Sequence, residues 1–246
     1  MATRRSVPRG RNARSHGELR SRKPREERWL EILDVAARIF AKRGYDATSL
    51  EEIAVELGIL KGSLYYYINT KRDLLAHLLR DAHEKGLNNI RPIADGEGNS
   101  ISRLARMIRA HVNYVCTDRD RTAVFLHERK WLTPEQRVKY LGDEHAYRRL
   151  FERVIQDGQK EGLIRSDLDA KLIALCLLSS VNSVYDWYNP AGGQSPASIS
   201  DMYVLSWLSG VTTERGSAMV GGLQSDAGFG EYRKAARKSG SKHTAT

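Results

Sequence analysis

The residues best suited to contact another molecule in this 246-residue chain lie close together. Lys61, Ser63, Tyr65, Tyr66 and Tyr67 fall within the run SLEEIAVELGILKGSLYYYINTK, residues 49–71. Lysine carries a mobile positive charge, and tyrosine carries a flat apolar ring with a hydroxyl at its tip. On an exposed helix, this mixture matches a surface of phosphates and base edges. Consecutive side chains on a helix diverge by about 100° each, so at most two of the three tyrosines can face one partner.

The flanking residues would position that helix. Ser49 and Glu52 have the spacing of a capping box, which marks a helix start. Leu50, Ile53, Ala54 and Leu57 then form one buried stripe. Gly58 supplies the left-handed residue that leaves a helix sharply, and the next helix begins near Leu60 with Leu64 and Ile68 facing inward. Two short helices around a glycine turn have the dimensions of a helix-turn-helix, whose second helix enters the major groove of double-stranded DNA.

Other reactive side chains support little. Cys116 and Cys176 are far apart in apolar helical surroundings without metal-ligand spacing, which predicts free thiols in a reducing cytoplasm. His111 lies five residues before Cys116, about 140° away around a helix, a poor geometry for the proton transfer of a thioesterase. His127-Glu128 lacks the second histidine of a zinc protease, and neither a nucleophile elbow nor a phosphate loop is present. No catalytic residue, no metal and no cofactor are therefore expected. The chain is not read as an enzyme.

The net charge of +10 is confined to the ends. Residues 1–28 hold ten Lys/Arg against three acids, and residues 214–246 hold six against three, so the middle is neutral. The first 25 residues predict a disordered basic arm that could add counterion-release affinity for DNA. An architectural DNA binder driven by this arm remains an alternative. The longest apolar run, 172–181, is too short to span a bilayer, so no membrane partner is expected.

Apolar periodicity predicts an all-α fold. Helices are expected over 26–42, over the two helix-turn-helix segments, and over 70–87 with a break at Pro92 and 95–100. Further helices are expected over 100–112, 122–131, 134–161, 167–188 and 196–210. The predicted organisation is a basic arm (1–25), a three-helix DNA-binding domain (26–90), a larger helical bundle for ligand binding and dimerisation (91–213), and a flexible tail (214–246).

The segments AARIFAKRGYDATSLEEIA (36–54) and GILKGSLYYYINTKRDLL (58–75) resemble the N-terminal domain of TetR/AcrR family transcriptional repressors. Tyr67 and Ile68 depart from the usual pattern. The resemblance implies a homodimer on a palindromic operator, released by a small effector. It assigns DNA contacts to Thr48, Ser49, Lys61, Gly62, Tyr65, Tyr66, Tyr67 and Lys71. Apolar Ile59 and Leu60 suggest readout of thymine methyl groups. It also implies pairing through the last two helices, with Leu177, Val181, Val184, Tyr203 and Trp207 at the interface. The segment 158–199 resembles more loosely the regulators of fatty-acid and steroid catabolism, which implies an acyl-CoA effector, a drug-like hydrophobic ligand being the alternative. Leu104, Met107, Ile108, His111, Tyr114, Val115, Phe125, Leu126 and Trp131 are the candidate lining, with ordinary core as the competing reading. Arg103, Arg106 and Arg109 would suit phosphates if that helix flank is not simply solvated.

Overall fold

Helix boundaries here follow side chains that satisfy the free backbone groups at each end. In the computed structural model, which describes residues 24–223, α1 (Arg25–Arg43) stops at Gly44 and α2 (Leu50–Glu56) opens on the expected capping box. The Glu52 amide donates to Ser49 Oγ at 3.1 Å, and the Ser49 amide donates to the Glu52 carboxylate at 2.7 Å. Gly58 ends α2 with φ of 64°, its N–H donating to the Val55 carbonyl while Ile59 N–H donates to that of Ala54. This Schellman closure requires a left-handed residue, which explains the glycine. α3 (Lys61–Leu64) is a single helical turn continued by turns through Tyr67. α4 (Lys71–Ala94) is capped by Thr70, with Asp73 returning to the Thr70 amide.

Several helix ends differ from expectation. Pro92 does not break α4 but sits in its last turn. The proline ring deprives only Asn88 of a partner, and both residues are exposed to solvent there. The turn at 95–99 is present, and α5 (Ser100–Thr117) starts where expected, capped by Asn99. The expected helix 122–131 is α6 (Arg119–His127) plus a separate turn of 3-10 helix at Arg129–Trp131. α7 (Pro134–Lys160) begins on a Thr133–Gln136 capping box. The segment 167–188 starts late, because Asp169 is the cap of α8 (Ala170–Asn182), and it breaks at Ser183 before the one-turn α9 (Val184–Trp187). α10 spans Pro196–Val211.

The expected flexible tail begins with a helix, α11 (Glu214–Leu223). Its approach is fixed by Thr213, whose amide and hydroxyl donate to the carbonyls of Leu163 and Gly162, and by buried Val220. Residues 224–246, and residues 1–23 of the basic arm, lie outside the described residues. Among the described residues the fold is all-α, with one antiparallel bridge between Ile164 and Thr212. None of their helices is long and apolar enough to cross a membrane.

Two apolar cores result. Ile32, Phe40, Ile53, Leu64, Leu74 and Leu78 hold α1–α4 together, and Val124, Leu132 and Tyr140 from α6, the loop after it and α7 join them. The other core gathers Leu104, Met107, Phe151, Val154, Leu177 and Leu208 from α5, α7, α8 and α10. α4 contributes to both, ending in Ile90 and Ala94 of the second. It is therefore a rigid strut between them.

An alanine Cβ at position 216 would lie 2.1 Å from the Leu163 carbonyl oxygen and 2.9 Å from Thr212 Cβ. Gly216→Ala should lower unfolding stability by about 1–3 kcal/mol in urea titrations, as overpacking against backbone does. An unchanged midpoint would show that α11 is not docked.

Candidate nucleic-acid interface and inner cavity

The helix-turn-helix displays a compact set of outward side chains. Leu60 is 81% exposed and Tyr66 67% exposed, with Tyr65, Ser63 and Lys61 beside them. Leu64 and Ile68 are buried, which fixes the roll of this segment and turns the other side chains outward. Lys61 makes a long, exposed contact of 3.5 Å with Glu51, the kind of pair that contributes little and can be exchanged for a phosphate. Space within 4 Å of an added Cβ at Gly62 is empty, so its bare backbone faces open solvent. Arg25, at the start of α1, lies over the Tyr66 ring at 5.1 Å, so the chain enters the fold beside this face.

Three expected contacts are redirected inward. Thr48 is buried, and its hydroxyl donates to the Gly44 carbonyl at 2.8 Å, so it does not present a donor to phosphate. Tyr67 stacks on Trp29 of α1 with centroids 6.1 Å apart and planes 9° from parallel, so it secures the turn to α1. Lys71 donates to the carbonyls of Tyr45 (2.8 Å), Asp46 (3.2 Å) and Thr48 (2.6 Å), with its ammonium 4.3 Å from the Tyr45 ring. All three of its N–H groups are used within the fold. Lys71 is a staple between α4 and the α1–α2 loop.

The inner cavity, of about 140 Å³, lies among α4, α5, α6, α7 and α8. Of the predicted lining, His111, Tyr114, Val115 and Phe125 reach it. Leu104, Met107 and Ile108 do not, because they point into the second core and are fully buried there. Trp131 packs instead on the reader core, 5.7 Å from Tyr45. Leu126 is absent from the wall as well. Arg103, Arg106 and Arg109 are neither a phosphate site nor a bare solvated flank. Arg103 binds the Ala94 carbonyl and Asp157, Arg106 the Glu97 carbonyl, and Arg109 the buried Asp201.

Sequence reasoning missed most of the polar wall. His111 Nδ1 is 2.7 Å from the Tyr147 hydroxyl, and Nε2 is 3.0 Å from Asn182 Oδ1. Burial pushes the His111 pKa down to about 4 despite the Asn182 bond, and burial likewise pushes His83 to about 4 despite Asp143. Both rings are neutral at pH 7. Cys116 is buried, and that burial pushes its thiol up to about 11, away from the reactive thiolate form.

Arg121 was also unforeseen. Only 7% exposed, it binds Asp34 of α1, Asp81 of α4 at 2.7 Å and Asp118 at 3.5 Å. Its neighbours Thr122 and Phe125 on α6 line the cavity. The partners lie 87 and 40 residues away in sequence, so no local pattern could announce them.

The predicted pairing surface changes too. Leu177, Val181 and Val184 are buried in the chain's own core, because they occupy the inward side of α8 and α9. The apolar side chains left outward there are Leu172, Leu175 and Trp187, with Met202 on α10. Trp207 is half-buried, and Tyr203 donates to the Ser180 carbonyl at 2.8 Å.

Comparison with known proteins agrees with this architecture. The family model for bacterial regulatory proteins of the tetR family matches residues 32–78, and that for the tetracyclin repressor-like C-terminal domain matches residues 97–211. The HTH-type transcriptional repressor KstR2 of Mycobacterium tuberculosis is 29% identical over 75% of this chain and 92% of its own. The fatty acid metabolism regulator protein of Bacillus subtilis is 22% identical over 67% of this chain and 86% of its own. Among solved structures, KstR2 of Mycobacterium tuberculosis superposes with a TM-score of 0.70 at 28% identity, covering 76% of this chain and 96% of that one. AibR in complex with isovaleryl coenzyme A and operator DNA superposes with a TM-score of 0.67 at 28% identity, covering 72% and 96%.

Lys71→Met should destabilise the DNA-free protein by about 1–2 kcal/mol in denaturant titrations, since it orphans three carbonyls. A pure phosphate ligand would leave that stability unchanged. His83 and His111 titrate lower in the fold than in the unfolded chain, so between pH 6.5 and 4 the unfolded state binds more protons. The melting temperature should fall as pH drops through that window, and His111→Gln should flatten the slope.

Proposed function

Because this chain belongs to the TetR family of bacterial regulatory proteins and is a DNA-binding transcriptional repressor, we propose that it sits as a homodimer on a palindromic operator and is released by an acyl-CoA thioester. Residues 26–90 act as the reader in this scheme, and residues 91–213 as the effector-binding and pairing portion. The protein works in the cytoplasm, where its operator and thioester pools meet.

One observation carries the reading. α6 lines the cavity through Thr122 and Phe125, and through Arg121 the same helix grips Asp34 of the reader. An occupant that displaces α6 therefore pulls the buried Arg121 against its partner on α1, the exposed Asp34. The reader then shifts only to the extent that the ligand prefers the shifted form. The thioester is supported by the likeness to AibR, whose structure holds isovaleryl coenzyme A and operator DNA. Pairing is supported by the outward Leu172, Leu175 and Met202, flanked by Tyr203 and Trp207. A two-fold partner would cover that face and hold two readers about one DNA turn apart.

On the DNA side, Tyr65, Tyr66, Lys61, Ser49 and the bare backbone of Gly62 make the contacts, and Leu60 reads thymine methyl groups.

Tyr66→Ala should weaken operator binding by about tenfold in gel shifts without lowering the melting temperature. Equal affinity would remove Tyr66 from the contact face. Titrating the operator complex with short- and medium-chain acyl-CoAs should dissociate it. If only apolar drug-like compounds do so, the thioester assignment falls.

A further inference from the structure

The polar wall of the cavity carries information about its occupant. His83 is 5% exposed, lines the cavity from α4, and its Nε2 is buried without a hydrogen-bond partner. The ring is held edge-on by Phe125 and Tyr140, each with its centroid 5.0 Å away, so it cannot easily turn toward solvent. Arg148, on α7, also lines the cavity, and its Nε is likewise buried without a partner. By contrast, both nitrogens of His111 across the cavity are satisfied by Tyr147 and Asn182. Buried polar atoms are rarely left unmatched, because desolvation without a new bond is unfavourable. Two such atoms, on residues of α4 and α7 that both line the cavity, mark where a ligand's polar group belongs.

Size supplies the second constraint. A cavity of about 150 Å³ accepts a benzene-sized guest, and this one is about 140 Å³. The cavity opens to solvent, so this volume bounds the part of an occupant seated among the helices and not its whole length. Gly86 adds to the restriction, since an alanine Cβ there would already stand 3.1 Å from the Tyr147 ring.

The geometry points to a compact effector group of about six to eight heavy atoms, branched or cyclic, bearing a carbonyl oxygen that accepts a hydrogen bond from His83 Nε2. This rests on the reading of the cavity as the effector site, and it names the chemistry that the site selects. His83 is the specificity-determining residue. The neutral imidazole can carry its hydrogen on Nε2. A site built to bond an oxygen rejects the analogue that lacks it more strongly than it rejects a change in carbon count.

The test compares two near-isosteric probes free of coenzyme A, cyclohexanone and methylenecyclohexane, by calorimetry on the full-length, DNA-free protein. Cyclohexanecarbonyl-CoA and its S-(cyclohexylmethyl) thioether analogue, which lacks the carbonyl oxygen, form a second pair. The carbonyl member of each pair should bind about tenfold more tightly. His83→Phe, which keeps the ring packing against Phe125 and Tyr140, should reduce that ratio to about one. The nitrogen chemical shift of the His83 imidazole in the unaltered protein should move with cyclohexanone and stay fixed with methylenecyclohexane, which checks the contact without any variant. Equal affinities within each pair, a preference that survives His83→Phe, or an unmoved His83 signal would overturn the assignment. Coenzyme A conjugates that bind without preferring the carbonyl member would sink this inference and leave the effector reading standing. Selective binding of cyclohexanone with no binding of either coenzyme A conjugate would do the reverse. Failure of all four probes would end both.

Discussion

A buried positive charge that ties α6 to α1 and α4 is the constraint on which this molecule turns. Arg121 sits on α6 with carboxylates from α1 and α4 around it, and Asp118 one turn back. Burial alone would disfavour its charge, but the bonds from Asp34 and Asp81 more than compensate and hold the proton above its ordinary pKa. Such a group tolerates its surroundings or disrupts them, because removing one partner leaves charge stranded in a poorly solvated place. Through these contacts α6, which is also a wall of the cavity, is tied to α1 and α4 of the reader. Lys85 also reaches Asp81, at 3.2 Å, which adds a second cation to the same carboxylate.

The cavity and the reader differ in how their polar groups are satisfied. In the reader, caps, the Gly58 closure and the Lys71 staple leave little backbone unmatched. Around the cavity, buried atoms of His83 and Arg148 stand unmatched. The fold thus satisfies its own polar groups more completely in the reader than around the cavity.

Much of the reader could be foreseen because its signals are local. Ser49 with Glu52, Thr70 with Asp73, Gly58, and the stripe Leu50–Ile53–Leu57 each declare themselves within one or two helical turns. Side-chain duties were less legible. Thr48, Tyr67 and Lys71 have the residue types of DNA ligands, yet Gly44, Trp29 and the carbonyls of the α1–α2 loop claim them first. In the second half, α8 is apolar around most of its circumference, so periodicity could not say that Leu177 and Val181 face inward and Leu172 outward. The cavity wall was least legible. Its members come from five helices and meet only through tertiary packing, while Met107 and Leu104, one and two turns away on the same helix, go to the core instead.

The Lys71 staple has a consequence beyond stability. It grips main-chain oxygens, which every amino acid possesses, and so its hold is indifferent to which side chains decorate the loop it clasps. Similarly, the outermost groups, Leu60, Tyr65 and Tyr66, bear little of the scaffold's own cohesion. Substitutions can therefore rewrite the outward groups of the proposed contact face while the frame beneath stays assembled.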